Sequence, residues 1–124
     1  MSGKRILIVD DSATVRQQVS LALRQVGFQV LEAVDGQEGA ETIERQTDIS
    51  MVICDVNMPR MNGLEMLERV KGGGQRPQLP VIMLTTEGQP ALIKRAKAAG
   101  AKGWIVKPFK ADQLVAAARK LTAA

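Results

Sequence analysis

Short, almost purely apolar runs alternate along this chain with longer stretches whose apolar residues recur every three or four positions. The first run, Arg5-Ile6-Leu7-Ile8-Val9, stops at Asp10-Asp11. Val15, Val19, Leu23 and Val26 follow at helical spacing, and Gly27 closes that helix. Val30-Leu31-Glu32-Ala33-Val34 reads as a second strand, and residues 36–46 as a second helix with Ala40 and Ile43 facing inward. Met51-Val52-Ile53-Cys54 is a third strand ending at Asp55. Pro59 and Gly63 mark a loop, after which Leu64, Leu67 and Val70 begin a third helix. Residues 71–77, rich in Gly, read as a flexible connection. Pro80-Val81-Ile82-Met83-Leu84 is a fourth strand ending at Thr85-Thr86, and residues 90–99 form a fourth helix stopped by Gly100. Trp104-Ile105-Val106 is a fifth strand ending at Lys107-Pro108, and Leu114, Ala117, Ala118 and Leu121 face the core from a last helix.

Five strand–helix units in this order predict an α/β fold. Strands that are apolar throughout are buried on both faces, as in a parallel sheet. Alternation with helices requires right-handed crossovers and gives a doubly wound sheet. There is no internal repeat and no linker to a second region, so residues 1–124 read as one domain.

Composition narrows the function. Hydrophobic residues make up 45% and charged residues 24%, an ordinary globular balance. No apolar run approaches the about 20 residues of a membrane span, and no signal peptide precedes the first strand. The single cysteine, Cys54, lies in an apolar run and reads as a reduced core thiol of a cytoplasmic protein. The chain has no histidine, which excludes His-based zinc sites, Ser-His catalysis and a phosphohistidine carrier role. A net charge of +4, with two Phe, one Trp and no Tyr, lacks the basic clustering and aromatic platforms of a nucleic-acid binder. One denser basic group, Lys94, Arg95, Lys97 and Lys102, reads as a solvated helix face.

The polar residues at strand ends carry the chemistry. All strands of a parallel sheet end at one edge, and open α/β sheets bind ligands there. Asp10, Asp11, Asp55, Thr85 and Lys107 therefore converge in one cleft. Packed carboxylates repel unless a proton or cation intervenes. With oxygen donors only, the cation is hard, and Mg²⁺ fits best. A carboxylate beside Mg²⁺ can attack phosphorus to give an aspartyl phosphate. Lys107 and the Thr85 hydroxyl are then placed to bind the phosphoryl oxygens. Singly, each residue has an ordinary role: Asp10 or Asp11, with Ser12, as a helix cap, Asp55 as a turn residue, Thr85 as a strand residue, Lys107 as a surface charge, Trp104 as packing. Their joint placement at one edge favours the chemical reading.

These segments resemble the response-regulator receiver family over essentially the whole chain. Ile6-Leu7-Ile8-Val9-Asp10-Asp11-Ser12 resembles its acidic pair, and Asp55-Val56-Asn57-Met58-Pro59 through Gly63-Leu64 its phosphoacceptor loop. Met83-Leu84-Thr85 matches its switch-hydroxyl strand, and Ala99-Gly100-Ala101-Lys102-Gly103-Trp104-Ile105-Val106-Lys107-Pro108-Phe109 its lysine–proline segment. The resemblance implies a flavodoxin/CheY-like sheet of strand order 2-1-3-4-5. It makes Asp55 the phosphoacceptor. Asp11 would hold Mg²⁺ directly, Asp10 through water, and the Asn57 backbone carbonyl would complete the protein donors. It gives Lys107 to the phosphate, with a cis bond to Pro108. It makes Thr85 and Trp104 the switch that repacks the surface of helix four, strand five and helix five.

Length, Asn57 and Glu87 are most similar to stand-alone CheY-type chemotaxis regulators, while Trp104 stands where Tyr is frequent and Thr86 where a small residue is, narrowing access. The implied protein is a monomeric cytoplasmic switch with no output domain and no enzyme activity beyond assisting its own phosphorylation and dephosphorylation. Its implied partners are a histidine kinase as donor, a downstream protein and a phosphatase, with no nucleic acid and no membrane. Lys94, Arg95 and Lys97 are expected on the switching face, where they would attract an acidic partner segment. Three alternatives stand beside this one: a receiver excised from a longer regulator or serving another phosphorelay, a haloacid-dehalogenase-type phosphatase, and a flavin binder. The phosphatase would need an acid where Ser12 stands, and the flavin phosphate would be repelled by Asp10-Asp11.

Overall fold

Where the sequence alternates between the two periodicities, a computed structural model describing residues 3–72 and 78–123 has alternating strands and helices. They run β1 (Arg5–Val9), α1 (Ala13–Gln25), β2 (Gln29–Ala33), α2 (Gly36–Arg45), β3 (Ile49–Cys54), α3 (Gly63–Gly72), β4 (Val81–Thr85), α4 (Pro90–Ala98), β5 (Gly103–Val106) and α5 (Ala111–Thr122). The strands form one parallel sheet in the order β2-β1-β3-β4-β5. The doubly wound expectation is met, including its order.

Side chains alternate across each strand, so the sheet feeds two cores. Leu7, Val9, Val52, Cys54, Val81 and Met83 point to one face, against Ile43 of α2, Leu64, Met66 and Leu67 of α3 and Ala96 of α4. Ile6, Ile8, Met51, Ile53, Ile82 and Leu84 point to the other, against Val19 and Leu23 of α1 and Leu114 and Ala118 of α5. Only the inner strands β1, β3 and β4 are covered on both faces; β2 and β5, at the edges, are partly open.

The strand starts differ from the apolar runs. β2 begins at Gln29, whose N–H donates to Lys4 O at 2.9 Å, because ladder pairing is made by the backbone and does not require an apolar side chain. It also ends one residue early. Val34 is 44% exposed, and its N–H donates to Glu38 Oε1 at 2.8 Å. Asp35 Oδ1 in turn accepts from the Glu38 N–H at 2.8 Å and so caps the start of α2. At the start of α3 the Glu65 N–H donates to Asn62 Oδ1 and the Asn62 N–H to Glu65 Oε1, a reciprocal capping box. Gly27 and Gly100 stop α1 and α4 in the left-handed region, at φ 94° and 106°. Of the connection read over 71–77, Lys71 and Gly72 close α3; residues 73–77 lie outside the described residues, as do the first two. Among the described residues, no helix is long and apolar enough to cross a membrane.

Candidate functional site

The ladder continues one residue beyond three of the strands. Asp10 N–H donates to Ala33 O at 3.1 Å, Asp55 N–H to Val9 O at 2.9 Å and Lys107 N–H to Thr85 O at 2.9 Å. These bonds set the backbone of the site residues as firmly as the sheet itself. One carboxylate oxygen each from Asp10, Asp11 and Asp55 lies within 4.8 Å of the others. Asp10 and Asp55 are buried, at 2% and 8% exposure, while Asp11 faces solvent.

Each buried carboxylate uses one oxygen on the backbone and presents the other to Lys107. Asp10 Oδ1 accepts from the Ser12 N–H at 2.9 Å, and Asp55 Oδ1 from the Val56 N–H at 2.7 Å. Lys107 Nζ lies 2.8 Å from Asp10 Oδ2 and 3.4 Å from Asp55 Oδ2. Burial pulls the Lys107 ammonium down, but the Asp10 hydrogen bond and the charges of Asp55 and Asp10 outweigh it, and the net shift is upward. The cation the cluster demands is thus supplied in part by the protein. The Lys107–Pro108 peptide is cis.

Capping of α1 falls to Ser12, whose Oγ accepts from the Val15 N–H at 3.3 Å. Neither aspartate spends its side chain on the helix end through that bond. Arg16 closes the turn from the other side: its Nη1 donates to Asp10 O at 2.7 Å, and its Nε pairs with Glu32 at 3.0 Å. Cys54 is fully buried, and burial first, then the Asp55 and Asp10 charges, push its thiol well above the ordinary value. It stays protonated and inert, donating to Asp55 O at 3.2 Å.

Thr85 is wholly buried, and its Oγ1 accepts from the Glu87 N–H at 3.3 Å. Glu87 also accepts from Trp104 Nε1–H through its carbonyl oxygen at 2.9 Å, and from Asn57 Nδ2 through its carboxylate at 2.7 Å. One residue therefore joins the hydroxyl, the indole and the acidic loop. The sequence marked Glu87 only by its charge; the signal for this junction is its position two after Thr85, across the sheet edge from Asn57. Thr86 is exposed and lines, with Lys107, Pro108 and Phe109, a groove of about 630 Å³ against α1. On α4 the exposed Arg95 guanidinium makes a two-point bond to Glu68 of α3 at 2.8 and 2.9 Å.

A family model described as the response regulator receiver domain matches residues 6–119. The chain belongs to that family. The receiver is similar to chemotaxis protein CheY1 of Helicobacter pylori, at 41% identity over 106 residues, covering 85% of this chain and 86% of that one. In structure it is similar to chemotaxis protein CheY4 of Vibrio cholerae, with a TM-score of 0.88 and 38% identity over 96% of this chain and 98% of that one. A CheX–CheY–BeF₃–Mg²⁺ complex from Borrelia burgdorferi matches with a TM-score of 0.88 and 28% identity, over 97% of this chain and 90% of that one. The receiver is accordingly a signalling protein of CheY type rather than a classical catalyst. Its acidic pocket, with only oxygen donors around it, suits a hard divalent ion.

Proposed function

We propose that the receiver is a single-domain, monomeric, cytoplasmic response regulator that accepts a phosphoryl group on Asp55 from a phosphohistidine of a partner kinase. It then presents the face of α4, β5 and α5 to a downstream protein in a chemotaxis or motility pathway, and a phosphatase resets it. The observation that carries this reading is the three-carboxylate cluster with Lys107 Nζ between Asp10 and Asp55. Asp10, Asp11, the Asp55 carboxylate and the Asn57 backbone carbonyl would hold Mg²⁺. When bound, that ion supplies charge neutralisation for the phosphoryl oxygens.

The protein's own groups do the rest. Asp55 Oδ2, the oxygen not held by Val56, attacks phosphorus. The O–P bond forms as the P–N bond to the donor histidine breaks, and the imidazole leaves with the electron pair and takes up a proton. Lys107 exchanges its Asp55 contact for a phosphoryl oxygen without leaving the pocket. Thr85 Oγ1 gives up the Glu87 N–H and donates to another oxygen. Glu87 then shifts, and with it the Trp104 indole bonded to its carbonyl. The change reaches β5 through two hydrogen bonds, and only a small bias between two packed states is needed to move the surface.

The test is intact and peptide mass spectrometry after acetyl phosphate treatment with Mg²⁺. One phosphoryl group is expected on the peptide containing Asp55, and none in Asp55→Asn. Phosphate on Asp10 instead would move the chain to phosphatase-type chemistry.

A further inference from the structure

Among the described residues, Arg60 is the one non-glycine residue with positive φ, at 65°. L-residues adopt this region sparsely, and a residue held there usually serves its surroundings. Here the conformation aims the guanidinium at Asp35, three residues of loop away from Asn57. Arg60 Nε donates to Asp35 Oδ2 at 2.7 Å and Nη2 to Oδ1 at 3.2 Å, a two-point bond that fixes orientation as well as distance. Asp35 is a rigid anchor. It is 4% exposed, and its Oδ1 also accepts from the Glu38 N–H at the start of α2.

The next residue along each chain segment reinforces the contact. Gly36 N–H donates to Met61 O at 3.0 Å. A Cβ at Gly36 would sit 2.2 Å from that oxygen, so the loop lies on the start of α2 with no slack. At its other end the loop is fixed by Asp55 and by the Gly63 N–H on Val56 O at 2.9 Å. Between these fixings lies Asn57, whose carbonyl has no sheet or helix to orient it.

We infer that Arg60 and Asp35 are a positioning pair that sets the Asn57 carbonyl for the metal, although neither touches the site. The inference rests on the reading of Asp10, Asp11, Asp55 and Asn57 as the metal donors. Groups that orient metal ligands command about 10–100-fold in affinity.

The test uses Asp35→Asn, which keeps an acceptor for the α2 cap but loses the charge, and Arg60→Gly, which takes positive φ freely but cannot reach Asp35. Mg²⁺ titrations followed by Trp104 fluorescence should show the half-saturating concentration raised about tenfold in each. The double variant should be no worse than either single one. Amide exchange at residues 56–62 of the metal-free protein should speed up in both. Phosphorylation of Asp55 by acetyl phosphate should recover at saturating Mg²⁺, separating weakened binding from lost chemistry. Unchanged half-saturation and exchange in the variants, or effects that simply add, would overturn the pair even where melting temperature falls. A wild type that does not respond to Mg²⁺ at all would instead overturn the metal reading, and the pair with it.

Discussion

At Lys107 a single ammonium answers two buried carboxylates and outweighs its own burial cost. It therefore competes with any divalent ion for Asp10 and Asp55. Lys107→Met, close in length but uncharged, should bind Mg²⁺ several-fold more tightly, because the cluster is left more negative. Asp55 should still be phosphorylated, but the Trp104 response to phosphorylation should shrink. Mg²⁺ titration before and after acetyl phosphate measures both. Asp35 is read through acid. The Arg60 hydrogen bond, opposed by burial and helped by the Glu38 N–H, holds its carboxyl below the ordinary range. A carboxyl depressed in the fold contributes stability that is fully present above its unfolded value of about 4 and is lost as pH falls through the folded value. Wild type should lose more stability below about pH 4 than Asp35→Asn, with the two acid curves converging. Parallel acid curves in thermal melts would remove the pair from the account. Glu38 and Glu41, the other acids facing Arg60, are unchanged between the two proteins.

At the scale of elements, glycines separate what a loop requires from what a helix tolerates. A Cβ at Gly63 would stand 1.9 Å from Asp55 O, whereas one at Gly72, also in α3, meets nothing within 4 Å. Gly72→Ala should stabilise by about 0.5–1 kcal/mol through helix propensity and a less free unfolded chain. Gly63→Ala should destabilise and displace Asp55; denaturant melts of the two decide it. The elements themselves were legible because the apolar runs and the 3.6-residue stretches differ in period, and Gly27 and Gly100 punctuate them. The ends of the site-bearing strands β1, β3, β4 and β5 were legible for the same reason, and they place the site. The starts were not: Gln29 joins β2 through its backbone, and Gly103 joins β5 beside Ile82, with no apolar side chain to announce either. The Arg95–Glu68 pair was not legible, because Glu68 lies on another helix and no local pattern shows a pair 27 residues apart. The roles of Glu87 and Arg60 depend on such tertiary partners as well, whereas the Ser12 cap is local and was legible.

The whole molecule is what makes the site. Lys107 and Asp10 are 97 residues apart, and only the parallel order β2-β1-β3-β4-β5 brings β1, β3 and β5 to the same edge. Among the described residues every buried side-chain polar atom has a hydrogen-bond partner, so the resting arrangement is complete. On the proposed function, a phosphoryl group would exchange existing bonds, at Lys107 and at Thr85, rather than fill orphaned ones, and would bias the equilibrium between two arrangements. Trp104, the only tryptophan in the chain, is bonded to the Glu87 carbonyl and would report that exchange. The decisive measurement is its fluorescence on adding Mg²⁺ and then acetyl phosphate, in wild type and Asp55→Asn. The account predicts a Mg²⁺-dependent change followed by a second change on phosphodonor, the second absent in Asp55→Asn. A folded wild type that responds to neither, or an Asp55→Asn variant that keeps the second change, would contradict it.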